Sequence, residues 1–308
     1  IFYVWSILFL AEWFCGSETQ WNHMNFTMQD SPVRIDPSAG DYLSFQAGIS
    51  VAPGVVFQIA NGKGISVDGA CGSVDIIGND LAWDNDGNGS VVFEGMNGQE
   101  WLGMAFTGHC TSNETRDNRH QLSFVDFKNT SMAAISAGSR HGNHAAGQPF
   151  TDSNVGNFSM DHITFDNVAK AFSHGSGDGT VVTMSDFTIS NAAESCLDFA
   201  RNSVVTLVDG IMNVCNLDQV ADGGAIVSTM ALASNAGSLT VENLTVTNAL
   251  ENLIDVDFAA VWLQNVSASL SSNSNGYALN SEGRGPVGGD AAWCELYASC
   301  TYVNNLEV

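Results

Sequence analysis

The amino-acid sequence predicts an all-β chain folded as a single parallel β-helix, with three strands per coil and about 23 residues per coil. Three observations lead to this prediction. A strand-bend-strand pattern recurs through the central two-thirds of the chain, most copies end in asparagine, and the 308 residues include 31 glycines but 5 prolines. Such a composition is typical of a chain with many turns and short strands. All-β chains of this length often form one core.

The repeat is clearest in six segments, whose first, third, sixth and eighth places are mostly apolar. Alternation with a period of two indicates strands, and the polar fifth place indicates a bend between two short strands. We interpret the fourth segment as two residues longer than the others. The segments are HQLSFVDFKN (120–129), FSMDHITFDN (158–167), VTMSDFTISN (182–191), VTLVDGIMNVCN (205–216), LTVENLTVTN (239–248) and VWLQNVSASL (261–270).

The repeat starts lie 38, 24, 23, 34 and 22 residues apart. A base step near 23 residues is too short for a propeller blade of about 40 to 45, and the β-branched content argues against helical repeats. We therefore expect a third, shorter strand after each terminal asparagine and surface insertions in the longer steps. The predicted β-helix covers 41–275, between an apolar N-terminal segment and lead-in (1–40) and a C-terminal tail or cap (276–308).

The asparagines that end the repeats have a structural explanation. Asparagine tolerates the left-handed backbone conformation that a tight bend needs. Identical amides stacked about 4.8 Å apart can also hydrogen-bond along the stack. The sequence therefore predicts an asparagine ladder of Asn129, Asn167, Asn191, Asn216 and Asn248.

With its repeat and its asparagines, the chain resembles the right-handed parallel β-helix proteins of the pectin-lyase-like superfamily, over roughly residues 45–275. The pieces GGAI (223–226), FKN and FDN are also similar to short repeats of some bacterial surface β-helices. The resemblance implies a right-handed coil and an exported protein. Lyases of this superfamily generally rely on Arg or Lys, and of these residues Lys170 and Arg201 alone lie in the well-aligned third strands.

The chain is strongly acidic, with 9 Lys and Arg against 33 Asp and Glu and a net charge of -24. A polyanion is repelled by nucleic-acid phosphates and by anionic lipid. We therefore exclude nucleic acid as a partner. The same charge favours solubility and attracts divalent cations.

The first 14 residues are apolar except for Ser6 and Glu12. As a helix they would span about 21 Å, less than the ~30 Å hydrocarbon core of a bilayer, so we expect no membrane-spanning segment in the mature form. The segment is either the remnant of a signal peptide or an element that docks on another copy of the chain. The predicted assembly residues are Ile1, Phe2, Val4, Trp5, Leu8, Phe9, Trp13 and Phe14.

The seven cysteines form no CxxC or CxxCH unit, which excludes zinc-ribbon, thioredoxin and c-type haem sites. Cys294 and Cys300 are close enough in the chain to predict a local disulfide. The sequence also contains seven Asn-x-Ser/Thr sites, as a glycosylated exported protein would. These are Asn25, Asn88, Asn113, Asn129, Asn157, Asn243 and Asn265.

The stretch from Asp84 to Gly95 carries part of a calcium-loop pattern. Its ligands would be the side chains at places one, three and five and a backbone carbonyl, with a glycine at the sharp turn. The carboxylate expected at place twelve is one residue early, at Glu94. The segment is therefore a calcium site or a polar turn between coils. The candidate ligands are Asp84, Asp86, Asn88 and Ser90.

The residue seven positions after a terminal asparagine is polar in most copies of the repeat. If the register holds, His174, Asp198 and Asp255 lie along one face, with Ser136 and Gly223 in the same line. Two carboxylates and an imidazole can serve as general acid and base in glycosidic cleavage. The alternative is that outward-facing strand positions are simply polar. A metal site of His141, His144 and His174 is a further candidate.

Two classes of function agree with these features. The first is a structural or adhesive protein of the cell surface or extracellular space. Such a protein would be a filament or surface-layer subunit that contacts copies of itself through its apolar N-terminus, and surface polysaccharide is a further partner. The alternative is a secreted carbohydrate-active enzyme of the β-helix type: a polysaccharide hydrolase, lyase or epimerase. Calcium is the one cofactor that the sequence indicates.

Overall fold

Nearly all regular structure in the described residues is β-strand, with two short 3-10 turns at Met28–Asp30 and Met96–Gly98. The expected all-β class is confirmed. The computed structural model describes residues 24–37, 41–45, 48–68, 73–79, 89–107, 119–138, 155–174, 180–200, 203–218, 224–229, 237–250, 252–256, 260–270, 279–281 and 300–307.

The first nine strands are short, of three to five residues. They are β1 Met24–Phe26, β2 Val33–Ile35, β3 Tyr42–Phe45, β4 Gly48–Val51, β5 Val56–Ile59, β6 Gly64–Asp68, β7 Ser73–Ile77, β8 Val91–Gly95 and β9 Met104–Thr107. Each of the first seven pairs in parallel with the strand three places later, as β1 does with β4, β2 with β5 and β3 with β6. Such a period of three is expected when the chain visits three faces before returning to the first.

The remaining strands are mostly longer and bend within their length. They are β10 Arg119–Ala137, β11 Asn157–His174, β12 Val181–Ala192, β13 Leu197–Ala200, β14 Val204–Cys215, β15 Gly224–Thr229, β16 Ser238–Ala249, β17 Asn252–Val256, β18 Ala260–Leu270, β19 Leu279–Ser281 and β20 Cys300–Glu307. β10 pairs with β7, β8 and β9 and so lies beside three earlier strands in turn. From β12 onwards, long strands pair with long strands and short with short.

All twenty described strands belong to one long parallel sheet, an arrangement that is solenoid-like and compatible with a parallel β-helix. The pairing register confirms the alignment of the repeats. The first places of the six segments lie opposite one another in the order His120, Phe158, Val182, Val205, Leu239 and Val261. Parallel pairing also includes β1 and β2 before residue 41, and β19 and β20 after residue 275.

The inward-facing places of the strands form a continuous apolar core. At the eighth place, aromatic rings stack along the direction of the coils. The ring centroids are 4.6 Å apart for Phe57 and Phe93, 5.1 Å for Phe93 and Phe127, and 5.5 Å for Phe127 and Phe165. All four rings are fully buried. Burial of large apolar side chains is the main source of stability in such a core.

The fourth repeat segment differs from the prediction. It has ten residues, because its ninth residue, Asn213, pairs with Thr247, the ninth residue of the next segment. The tenth place therefore belongs to Val214, and Asn216 lies outside the column. Val214 has a φ of 62°, which is unusual for a β-branched residue. Asn216 is fully buried, and its Nδ2 donates to the main-chain carbonyl of Leu250 at 3.4 Å.

The other four tenth-place asparagines have φ between 54° and 59°, as a left-handed bend requires. Asn167 Nδ2 donates to Asn129 Oδ1 at 2.8 Å, which is the amide contact expected of a ladder. Asn191 Nδ2 instead donates to Asp166 Oδ1 at 3.2 Å. Asn248 makes a different contact, in which its backbone N–H donates to Ser269 Oγ at 3.4 Å.

A longer ladder lies at the fifth place, where the sequence predicts a bend without a ladder. Asn243 Nδ2 donates to Asp209 Oδ1 at 2.9 Å. Asn265 Nδ2 donates to Asn243 Oδ1 at 3.0 Å, and Asn305 Nδ2 donates to Asn265 Oδ1 at 3.3 Å. All four residues have positive φ, so the side chains leave the backbone in the same direction and meet their neighbours in the stack.

A disulfide joins Cys196 and Cys215, with Cα atoms 5.3 Å apart and a sequence separation of 19. Both side chains are fully buried in the core. Sequence reasoning missed this bond, although a separation close to the repeat step places the two cysteines in neighbouring coils. The predicted partner of Cys300, Cys294, lies outside the described residues, as does the side chain of Cys300 itself.

Candidate functional site

The third-strand face differs from the predicted line by one residue at His174. Ser136 lies opposite Ser173, and Ser173 lies opposite Asp198, whereas His174 lies opposite Ala137. The reason is that β11 has one residue fewer than both neighbouring coils before the third strand. Val168 and Phe172 are four residues apart, whereas their partners Ala192 and Leu197 are five apart, and β10 has an extra residue between Thr130 and Ala133. Since neighbouring residues of a strand point to opposite faces, this difference of one residue removes His174 from the column of Asp198.

His174 belongs to the core. Its side chain is 1% exposed, and Nδ1 lies 3.0 Å from the hydroxyl of Ser203. Burial lowers the pKa of His174 to about 4, because the interior disfavours the charged imidazolium. The ring is therefore neutral near pH 7 and faces away from the surface where a polymeric substrate would lie.

Asp198 sits on the predicted face and forms an ion pair. Lys170 Nζ donates to Asp198 Oδ2 at 2.9 Å and lies 3.3 Å from Glu194 Oε2. The Asp198 side chain is 4% exposed, whereas those of Lys170 and Glu194 are 23% and 43% exposed. We call these three residues the Lys170 cluster. Burial alone would lower the pKa of Lys170, but the charges of Asp198 and Glu194 outweigh it and raise the pKa. Lys170 therefore stays charged and holds the carboxylates in place.

Asp255 lies in the same column as Asp198, with Val227 between them. Two steps of about 4.8 Å place the two residues roughly 10 Å apart along the stack. Asn252 Nδ2 donates to Asp255 Oδ2 at 2.8 Å. The column thus brings together two of the three predicted catalytic residues. This spacing of strand positions is of the same order as the separation of about 6.5 to 9.5 Å between the two carboxyl groups of inverting glycosidases.

The other predicted sites fall mainly on residues outside the described ranges. This applies to the assembly segment from Ile1 to Phe14, to the calcium ligands at 84–88 and to the two loop histidines at 141 and 144. Of the calcium ligands, Ser90 is described. It is buried, and its Oγ donates to Asp126 Oδ2 at 3.2 Å.

Sequence reasoning missed a cluster at the fifth-place bend. Asp161 and His162 on β11 and Asp186 on β12 each offer one ligand atom, and these three atoms lie within 4.8 Å of one another. The signal was present in the repeat alignment, where consecutive fifth places carry histidine and aspartate. Stacking of neighbouring coils brings them together.

Comparison of the chain with protein-family models, curated proteins and solved structures finds no match. The class of protein is therefore defined by its fold, an all-β chain with one long parallel, solenoid-like sheet. Within the described ranges, no helix has the length and apolar character that crossing a membrane would require.

Proposed function

We propose that this protein is an extracellular structural or adhesive protein of a cell surface, with the fold of a right-handed parallel β-helix. In this proposal it is a subunit of a filament or surface layer. The observation that carries the proposal is the single parallel sheet, whose strands from β1 to β20 stack coil on coil. A solenoid grows by adding strands at its ends, so an end coil can pair with the end of another copy.

The disulfide supports the extracellular part of the proposal. Structural disulfides form and persist mainly in oxidising compartments, and the Cys196–Cys215 bond is fully buried. Two of the predicted glycosylation sites also lie on the surface and outside the fifth-place ladder, namely Asn25 and Asn157.

The apolar segment 1–14 supplies the subunit contact in this proposal. An exposed stretch of this kind is stabilised when another apolar surface covers it. The net charge of -24 keeps the subunit soluble and would make assembly sensitive to salt and to divalent cations. Calcium at Asp84, Asp86, Asn88 and Ser90, and a surface polysaccharide as partner, belong to the same proposal.

Electron microscopy and light scattering of the full chain test this proposal. We expect polymers from the unaltered protein, and single particles after deletion of residues 1–14 or after Trp5→Asp with Phe9→Asp. Ser6→Asp is the matched control, because it adds a charge at a position that is already polar, and it should still polymerise. Monodisperse single particles of the unaltered protein, or unchanged polymers after the deletion, would contradict the proposal.

A carbohydrate-active enzyme is the second candidate, and the shared column of Asp198 and Asp255 favours it. Activity of the full chain on a panel of polysaccharides tests this function. If the column is catalytic, Asp255→Asn removes activity while Asp218→Asn, at an exposed position, leaves it intact. Equal activity of the two variants, or no activity in the unaltered protein, rules out catalysis at this column.

A further inference from the structure

Three polar side chains converge where two neighbouring long strands bend. Asp161 lies opposite Ser185 in the pairing of β11 with β12, so the fifth-place residues that follow them, His162 and Asp186, are also neighbours in the stack. His162 Nδ1 lies 2.8 Å from Asp161 Oδ2, and the nearest carboxylate oxygen of Asp186 completes a set within 4.8 Å. All three side chains reach solvent. An ion could therefore enter without opening the core.

The imidazole and one carboxylate are held in position by neighbours outside the set. The ring of His162 stacks on that of Phe124, with centroids 4.5 Å apart and planes inclined by 26°. Ser185 Oγ donates to Asp161 Oδ1 at 2.6 Å, which leaves Oδ2 directed to the imidazole. Contacts of this kind orient the ligands in metal sites and contribute to affinity.

We propose that Asp161, His162 and Asp186 bind one divalent transition-metal ion of the zinc type, with water completing the coordination. One imidazole nitrogen and two carboxylate oxygens are a ligand set that zinc accepts. Ligand atoms about 2.1 Å from a common tetrahedral ion lie roughly 3.4 Å from one another. The 2.8 Å contact between the imidazole and the carboxylate would therefore lengthen by about 0.6 Å to admit the ion, and the 4.8 Å limit on the whole set is compatible with one shared ion.

The ligand types distinguish this site from the calcium site predicted at residues 84–90. Calcium and magnesium prefer oxygen ligands alone, whereas imidazole favours zinc, copper and nickel. The strongly acidic chain attracts divalent cations in general, but the histidine selects among them. The ion would join β11 to β12 and so tie two coils together at an exposed bend. This inference does not depend on the proposed function.

The repeat itself supplies variants that remove the ligands with little change in shape. His162→Phe is expected to fold, because Phe124 already occupies the same place of the preceding coil with a φ of 54°, close to the 48° of His162. Asp186→Asn replaces a charged ligand with an amide. Three later coils already carry asparagine at the same fifth place, as Asn243, Asn265 and Asn305. Glu242→Gln is the matched control, since it loses one charge at the fourth place of a coil, the place of Asp161, but beside Asn243 instead of a histidine.

Calorimetric titration of the full chain with zinc chloride tests the proposal, and circular dichroism checks that each variant is folded. The unaltered protein should bind one more equivalent of zinc than His162→Phe, and Asp186→Asn should weaken that site at least tenfold. Glu242→Gln should keep the unaltered affinity within about twofold, and a tenfold excess of calcium should not displace the zinc. Equal zinc stoichiometry and affinity in the unaltered protein and in a folded His162→Phe variant would overturn the proposal, as would displacement by calcium.

Discussion

Phe93 stacks on Phe127 with ring centroids 5.1 Å apart and planes inclined by 10°. The two residues also lie directly opposite each other in the pairing of β8 with β10. The ring contact is therefore a consequence of register, because identical side chains at one inward place of successive coils must meet. Phe57 and Phe165 extend the stack in both directions.

Removal of a ring from the middle of this stack should be costly. Phe127→Ala is expected to lower the free energy of unfolding by about 3 to 5 kcal/mol, since it removes a fully buried ring and leaves a cavity between Phe93 and Phe165. Urea unfolding followed by circular dichroism measures the change. Thr183→Ala, at an exposed place on β12, is the control and should cost less than about 0.5 kcal/mol. Similar losses in the two variants would show that the stack is not a main support of the core.

Two buried histidines should make the protein sensitive to acid. His120 packs between Phe106 and Phe158, and its Nε2 donates to the Val155 carbonyl at 2.8 Å. Burial lowers the pKa of His120 from 6.5 to about 4, and the pKa of His174 changes likewise. Between these values the unfolded chain binds more protons than the folded one. Stability is therefore fully present above about pH 6.5 and is lost as the pH falls towards 4.

Each histidine should contribute up to about 3 kcal/mol to this loss. Urea unfolding at a series of pH values between 7 and 4 measures it. The double variant His120→Gln with His174→Gln should be less stable at pH 7 but should show a clearly smaller change with pH. A pH dependence identical to that of the unaltered protein would contradict the assignment to these two side chains.

The buried disulfide should be a substantial part of the stability. A bond that closes a loop of this size is expected to contribute about 3 kcal/mol. Cys196→Ala with Cys215→Ala should therefore unfold at lower urea, and a strong reductant should lower the stability of the unaltered protein by a similar amount. Peptide mapping under non-reducing conditions should recover the two cysteines in one cross-linked peptide. Separate peptides from the folded, unreduced protein would contradict the pairing.

The register of the repeats could be predicted from the sequence. Features that depend on the insertion or loss of a single residue could not. Alternation along a strand fixes which residues face inward, so the six segments could be aligned before any coordinates. The one residue that β11 lacks relative to both neighbouring coils has no such signature, and it places His174 in the core instead of on the predicted face. Asn216 was likewise assigned to the ladder because asparagine ends other segments, whereas pairing assigns that place to Val214.

Val214 offers the most direct test of the corrected register. A β-branched residue with a φ of 62° is strained, whereas asparagine adopts this conformation readily and is present at the same place in the neighbouring coils, as Asn191 and Asn248. Val214→Asn should therefore raise the free energy of unfolding by about 1 kcal/mol. Val208→Asn is the matched control, because Val208 is also half-buried on β14 but does not have a positive φ, and we expect it to be neutral or destabilising. If instead Asn216 occupied the ladder, Val214→Asn would give no gain over this control, and urea unfolding of the two variants separates these outcomes.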